Sequence, residues 1–227
     1  MMSDALFVMP QKIQTRWASP ENWDGAKGAA GQVNNGRKGS ACFPLKTGEH
    51  KVLAHAENTS GTIRRIWITI NDRSPQMLRG LRLDMYWDGA DRPAVSAPLG
   101  DFFGQGLGRC ATFQSALFSN PEGRSFNCCV PMPFRTGMKI VVTNESGADL
   151  AMFFYDVNYT LGDEHGPDTL YRQYEETLVF HSRDPRRFDW TSPLCTLFAH
   201  AAEFFDWRGQ TYITHCGIED RHWSDIG

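Results

Sequence analysis

The side chains best placed to do chemistry are carboxylates that neighbour glycine or aromatic residues. Two of them, Asp88 and Asp101, occur in the stretch LRLDMYWDGADRPAVSAPLGDFFGQGLG, residues 81–108. A pair of carboxylates can cleave a glycosidic bond, and in retaining enzymes the two groups lie about 5 to 5.5 Å apart. Three further residues share this acidic character and setting: Glu57, Glu122 and Glu219. Sequence spacing leaves open which two of them, if any, come together.

Signatures of other catalytic classes are missing from the sequence. It has no G-x-S-x-G elbow, phosphate loop or dinucleotide fingerprint. A Ser/His/Asp triad cannot be read from spacing, since its members lie far apart in a chain. His215-Cys216 with His222 lacks a fourth ligand at zinc spacing, so we predict no metal site there.

The six cysteines form no C-x-x-C pair, and Cys128 and Cys129 are adjacent. This spacing favours neither a zinc site nor a disulfide framework, and it predicts reduced, mostly buried thiols. The N-terminus has no basic segment leading into an apolar run, and no apolar run is long enough to span a bilayer. We therefore expect a cytoplasmic protein with no membrane partner.

The candidate carboxylates need rigid elements to position them, and the first is a strand over residues 81–87. Its apolar residues alternate with polar ones, a period of two that places them on one face. Asp88-Gly89 then turns the chain, because both residues tolerate a positive φ. A second loop, rich in glycine, follows at residues 100–108. Loops at the ends of strands commonly carry binding groups.

Short strands separated by turns continue along most of the chain. Besides 81–87, we predict strands over residues 51–56, 62–70, 113–118, 126–130, 138–143 and 150–161. The segment 131–134 contains two prolines and cannot be a central strand, because proline donates no ladder hydrogen bond. Strands at this spacing with almost no helical periodicity predict an all-β fold, a jelly-roll β-sandwich.

Composition divides the chain into three parts. Residues 1–40 form a glycine-rich arm, either disordered or an ordered loop clamped by Trp17 and Trp23; we favour the loop, because disordered segments are poor in aromatics. Residues 41–182 form the sandwich. Residues 183–227 form a divergent tail of poorly specified structure. A strand over 176–181 and a short helix over 197–205 are also predicted.

The charge and the aromatic content of the chain indicate which classes of binding partner to expect. Lys and Arg total 23 against 26 Asp and Glu, a formal net charge of -3, which gives no reason to expect a nucleic-acid partner. Seven tryptophans and 15 phenylalanines suit the core of a β-sandwich. They also suit carbohydrate binding, in which aromatic faces stack on sugar rings.

Several longer motifs resemble one family. YWDGADRPAVSAPLGDFFGQGLG, residues 86–108, resembles the signature of the domain-of-unknown-function family 2961, also called glycoside hydrolase family 172. SGTIRRIW at 60–67 resembles the family's preceding strand, and GRSFNCCVPMPF at 123–134 its following segment. The glycine-rich entry at 25–39 and MFFYDVNYTL at 152–161 complete a resemblance over roughly residues 15–180.

This resemblance implies two tandem jelly rolls, of which the chain carries the first, and trimer-based homo-oligomers with active sites at subunit boundaries. It implies retaining hydrolysis of α-D-fructofuranosides or D-arabinofuranosides by two glutamates, without metal or organic cofactor. Those glutamates lie in second-half segments of the types WWGEGDE and HGTGTEDYF. The first is missing here, and HCGIED at 215–220 matches the second only faintly.

We therefore expect a furanosidase-like protein that is truncated or frame-shifted and lacks the family's catalytic glutamates, and we assign no catalytic residue. Residues 183–227 are interpreted as a divergent remnant of the second jelly roll. Five residues are candidates for a rim that contacts the sugar: Trp87, Asp88, Asp101, Phe102 and Phe103. Alternatively, they shape loops or pack an oligomer interface.

Three rival interpretations stay open. The chain can be an active enzyme that uses a rebuilt pair such as Asp101 with Glu219. It can also be a non-enzymatic structural or carbohydrate-binding protein that assembles through its jelly roll. A degraded gene product would instead expose apolar surface meant for a missing second sandwich.

Overall fold

Two antiparallel sheets make up the structure. The computed structural model describes residues 11–33, 35–166 and 178–179. In chain order, the strands within these ranges are β1 (Gln14–Ala18), β2 (Phe43–Leu45), β3 (His50–Glu57), β4 (Gly61–Ile70), β5 (Leu81–Trp87), β6 (Val95–Pro98), β7 (Phe113–Gln114), β8 (Phe118–Asn120), β9 (Phe126–Cys128), β10 (Met132–Phe134), β11 (Gly137–Asn144), β12 (Leu150–Leu161) and β13 (Leu178–Val179). The predicted all-β sandwich is confirmed.

Strand pairing joins distant parts of the chain. The eight-stranded sheet has the order β1-β12-β4-β9-β8-β7, with β10 on β4 and β2 on β12. The five-stranded sheet has the order β13-β6-β5-β11-β3, in which only the β13–β6 pair of the described strands is parallel. The longest strands, β4 and β12, lie side by side over most of their length. They form the centre of the larger sheet.

The core lies between the inner faces of the two sheets. In β12, and in β4 from Ile66 onward, every second residue points inward, and Ile66, Ile68 and Tyr155 are almost completely buried. From the smaller sheet, Leu83 and Ile140 join the same hydrophobic cluster. Branched aliphatic and aromatic side chains pack well on a pleated surface, which explains why these segments form strands.

Two short helices, which the sequence did not predict, close one end of the sandwich. Helix α1 (Pro75–Gly80) begins with proline at its first position, and the Ser74 hydroxyl accepts a hydrogen bond from the Met77 N–H at 3.3 Å. Helix α2 (Leu99–Phe102) follows β6 directly. Met77 and Leu78 are buried, so apolar packing rather than helix length stabilises α1.

Residues 113–118, predicted as one strand, form a hairpin instead. β7 and β8 pair with each other, and Ser115 makes the turn by accepting the Phe118 N–H at its hydroxyl, 3.0 Å away. The proline-containing segment behaves as predicted: β10 pairs only with β4 among the described strands.

The N-terminal segment departs from prediction in two respects. It contains a strand, β1, at the edge of the larger sheet, paired with β12. Its two tryptophans are not buried, since the exposed fractions of Trp17 and Trp23 are 54% and 49%, but the Trp23 ring stacks on His55 of β3 with 6.4 Å between ring centroids. The carboxylate of Glu21 also holds the loop, by accepting the N–H of Gly31 at 3.3 Å and of Gly39 at 2.5 Å.

Several predictions fall outside the described residues. Of the strand predicted over 176–181, the structure describes residues 178–179, whose backbone pairs with β6. The helix predicted over 197–205, the residues around His215 and Glu219, and the tail 183–227 lie outside the described ranges. No helix among the described residues is long and apolar enough to cross a membrane.

Candidate functional site

The five predicted rim residues do not form one rim. Asp88 follows the last residue of β5, whereas Asp101 lies in α2, next to the first residues of that strand. The β5–β6 register fixes this, because Arg82 lies opposite Pro98 and Met85 opposite Val95. Six residues of strand separate the two ends, a distance of about 20 Å. Asp88 and Asp101 of one chain therefore cannot flank the same glycosidic bond.

Asp88 organises the loop between β10 and β11. Its Oδ1 atom accepts the backbone N–H of Arg135 at 2.8 Å, of Thr136 at 2.7 Å and of Gly137 at 3.3 Å. The residue has a φ of 54°, and Gly89 has one of 77°, as expected for the predicted turn. A carboxylate committed to three backbone donors has a structural task, and a direct sugar contact by Asp88 stays a prediction.

Asp101 forms an ion pair at the helical end of the sandwich. Its Oδ2 atom accepts a hydrogen bond from the guanidinium of Arg79. Burial raises the pKa of Asp101 above its ordinary value, and the charge of Arg79 opposes this rise. The Oδ1 atom is buried without a hydrogen-bond partner. A sugar-contacting role for Asp101 also stays a prediction.

The three aromatic residues of the predicted rim are interior. Trp87 and Phe103 are almost completely buried, and Phe102 is 8% exposed. Phe103 packs edge-on against Phe102 at 4.9 Å and stacks on Phe126 at 5.8 Å between ring centroids. An aromatic face covered by other rings offers nothing to a sugar. The geometry therefore favours loop shaping and core packing for these three side chains.

Buried carboxylates elsewhere are also bound by arginines. Asp84 accepts from Arg82 at 2.9 Å and from the Ser96 hydroxyl at 2.7 Å. On the larger sheet the pairs are Arg64–Asp163 at 3.0 Å and Arg65–Asp156 at 3.3 Å. The two charges of each pair largely cancel, and loss of either partner would leave an uncompensated charge. Among the described residues, no group of three His, Cys, Asp or Glu could hold a metal ion.

A pocket of about 370 Å³ opens on the outer face of the larger sheet, where β1, β12 and β4 lie side by side. Its lining includes one side chain from each of these strands that could contact a ligand: Trp17, Asn158 and Arg64. The Trp17 indole is half exposed, so part of its ring is available to a ligand. The Oδ1 atom of Asn158 is buried and lacks a hydrogen-bond partner. The pocket thus combines an open ring with an unused acceptor.

A β-bulge places Arg64 at this pocket. Asn158 pairs with Arg65 and the next residue, Tyr159, pairs with Ile63, so Arg64 is the extra residue of the bulge. Its guanidinium donates to Asp163 Oδ1 at 3.0 Å and to the Thr160 hydroxyl at 3.3 Å. These bonds hold the group in place while half of the side chain stays exposed. The bulge thus supplies a fixed donor at the pocket.

Sequence reasoning missed this pocket, and its lining contains none of the five predicted residues. One signal was present: Arg64-Arg65 interrupts the alternation of TIRRIWITI with two polar residues in succession, as a bulge does. The position of Trp17 carried no such signal, since strand pairing alone brings it opposite Asn158.

Comparison with known protein families identifies the family of the domain that carries this pocket. Residues 11–174 match the family model of the GH172 first beta-sandwich domain. The chain belongs to the GH172 family. GH172 is a glycoside hydrolase family, and the matched range contains both sheets apart from β13 and every residue that lines the pocket. No curated protein matches the chain.

Within the GH172 sandwich, the pocket and the predicted loops differ in how accessible their side chains are. At the ends of β5 and β6, the rings of Trp87, Phe102 and Phe103 are buried, and the carboxylates of Asp88 and Asp101 bind groups of the chain itself. The outer face of the larger sheet instead leaves an indole ring, a guanidinium and an amide oxygen accessible to a ligand or close beneath the surface. Of these two places, the pocket is the stronger candidate for ligand recognition.

Proposed function

We propose that this GH172 chain recognises furanoside carbohydrates, α-D-fructofuranosides or D-arabinofuranosides, at the pocket on the outer face of the larger sheet. The single observation that best supports this is the half-exposed indole of Trp17 beside Arg64 and Asn158. An aromatic face can cover the apolar face of a sugar ring, while fixed polar groups orient its hydroxyls. The sugar class follows from the family resemblance.

The polar groups of the pocket can both donate hydrogen bonds to a sugar hydroxyl and accept them from it. Arg64 offers N–H donors that its two partners do not saturate, since a guanidinium carries five. The Oδ1 atom of Asn158 is a buried acceptor without a partner beneath the pocket, and a hydroxyl that reaches it would complete its hydrogen bonding. A sugar hydroxyl both donates and accepts, so one ring can satisfy both residues.

The charge balance favours a neutral ligand. Arg64 is paired with the buried carboxylate of Asp163, so its positive charge is largely cancelled. An anionic ligand would have to compete with this carboxylate. A neutral sugar needs no change in the pairing and benefits from its rigidity.

Hydrolysis is not assigned to the five carboxylates that are bound within the sandwich. Asp84, Asp101, Asp156 and Asp163 are each bound by an arginine, and Asp88 binds three backbone N–H groups. None of these arrangements provides a free nucleophile facing a proton donor. We therefore propose that the sandwich contributes recognition rather than the bond-breaking step.

Calorimetric titration with methyl α-D-arabinofuranoside and methyl α-D-fructofuranoside tests this function. We expect binding that Trp17→Ala weakens by about tenfold, as expected for loss of a stacked ring. Trp23→Ala is the matched control, because Trp23 is equally exposed but does not line the pocket. Failure of the folded wild type to bind either sugar, or unchanged binding by Trp17→Ala, would contradict the proposal. Turnover of aryl furanosides, followed in parallel, would show activity of the chain itself.

A second candidate function is non-enzymatic assembly into a homo-oligomer, based on trimers. One observation favours it: three exposed large apolar side chains, Trp17, Trp23 and Val33, occur within one N-terminal segment. Exposed apolar surface commonly marks a protein contact. Light scattering distinguishes the two functions. A stable trimer that dissociates on replacement of Trp23 or Val33, without sugar affinity, would support assembly.

A further inference from the structure

We propose that the carbohydrate surface continues from Trp17 across β12 and β4 to Trp67, so that its ligand is a neutral oligosaccharide rather than a single sugar. This inference rests on the proposed function, which it extends to the length of the ligand. The register of three neighbouring strands and the polar contacts between them support it.

The register places both tryptophans on the same face. Trp17 of β1 lies opposite Asn158 of β12, which lies opposite Arg65 of β4. Trp67 is two residues further along β4, and side chains two apart on a strand share a face. Its neighbours in sequence, Ile66 and Ile68, are fully buried, so Trp67 points outward.

The distance between the backbones of the two tryptophans exceeds the width of one sugar ring. Two strand spacings of about 4.8 Å separate β1 from β4, and one two-residue step along a strand adds about 7 Å. The Trp17 and Trp67 backbones are therefore about 12 Å apart. A monosaccharide that stacks on Trp17 cannot also stack on Trp67. A chain of sugars crossing the sheet can contact both.

The floor between the tryptophans is polar and held in place. Arg65 donates to Asp156 Oδ1 at 3.3 Å and to Asn127 Oδ1 at 3.0 Å. The indole N–H of Trp67 donates to the Ser125 hydroxyl at 2.8 Å, which fixes the orientation of the ring. Groups locked by such bonds lose little entropy when a ligand binds.

The charges on this floor also cancel. Arg65 is paired with Asp156, as Arg64 is with Asp163. Burial raises the pKa of Asp156, and the nearby positive charges of Arg65 and Lys38 oppose this. Lys38 belongs to the glycine-rich loop that Glu21 holds, so this loop flanks the surface. A hydroxyl-rich, uncharged chain suits such a floor better than a phosphate-bearing one.

The test compares ligand lengths. The full chain is titrated with methyl α-D-arabinofuranoside and with α-linked D-arabinofuranosyl di- and tetrasaccharides. We expect the tetrasaccharide to bind about tenfold more tightly than the monosaccharide. Trp67→Ala should abolish this gain and leave monosaccharide affinity unchanged, whereas Trp17→Ala should weaken both ligands. Trp67→Phe, which keeps a ring, should retain most of the gain.

The outcomes separate this inference from the proposed function. Equal affinity for short and long ligands, or an equal loss for both with Trp67→Ala, would overturn the inference alone. No binding of any furanoside by the wild type would overturn the proposed function. If Trp67→Ala does not fold, Asn127→Ala tests the same floor and should weaken only the longer ligands. A variant that changes the mass found by light scattering but not the glycan affinity would identify a protein interface and contradict the inference.

Discussion

Asp88 Oδ1 accepts the backbone N–H of Thr136 at 2.7 Å and so ties the end of β5 to the loop before β11. Asp88→Ala should lower the free energy of unfolding by about 1 to 2 kcal/mol, because it removes the acceptor shared by three backbone N–H groups, of which that of Gly137 is part-buried. Denaturant titration measures this. Asp91→Ala, in the same connection but exposed, should change stability by less than about 0.5 kcal/mol. Equal effects of the two variants would disprove the structural task of Asp88.

Gly25 lies against Tyr159, whose hydroxyl donates to the Asp24 carbonyl at 3.1 Å. A Cβ at Gly25 would come within 2.2 Å of the Tyr159 oxygen, and the φ of Gly25 is +61°. Gly25→Ala should therefore cost more than the roughly 1 to 2 kcal/mol of a left-handed alanine. Gly28→Ala is the matched control, because it has a φ of +74° and nothing within 4 Å. Thermal unfolding of the two variants should differ, and equal midpoints would contradict the close contact.

Cys128 and Cys129 are adjacent but differ in environment. Cys128 is buried, which raises the pKa of its thiol to about 12, whereas Cys129 is exposed. Since the thiolate is the reactive form, a maleimide at neutral pH should modify Cys129 rapidly and leave Cys128 unmodified until the protein unfolds. Mass spectrometry of the digested protein, with Cys195 and Cys216 replaced by serine, locates the label. Rapid labelling of Cys128 in the folded protein would refute the prediction.

The ionisation of Asp101 should make stability depend on pH. Burial raises its pKa above 3.8 in the folded state, so folded protein holds the proton more tightly than unfolded protein. The stability from this group is then fully present below the ordinary pKa and is lost as pH rises through the folded value. Asp101→Asn, which cannot ionise, should gain stability relative to wild type between pH 3 and pH 7. Chemical unfolding at several pH values measures the difference, with Asp91→Asn as control. A constant difference would contradict the prediction.

Much of the fold could be predicted from local patterns. The strand over residues 150–161 was predicted with the observed bounds, and those around 62–70 and 81–87 differ by at most one residue. The alternation of apolar and polar residues in these strands indicates directly which side chains are buried. The helices α1 and α2 could not be predicted, because each is too short to show a helical period and depends on burial at the end of the sandwich. β1 was not predicted for a similar reason, since its pairing with β12 rather than its composition makes it a strand.

For the candidate site too, some features could be predicted from the sequence and others only from the tertiary structure. The sequence by itself determined the β-sandwich class, the turn at Asp88-Gly89 and the family, because short-range alternation and contiguous motifs encode them. Only the tertiary structure decided that Asp88 and Asp101 lie at opposite ends of β5, and that Trp17 meets Asn158 and Arg64 at one pocket. The physical reason is that strand sterics fix the side to which each residue points. The non-local hydrogen bonding between strands, together with the bulge at Arg64, fixes which residues become neighbours.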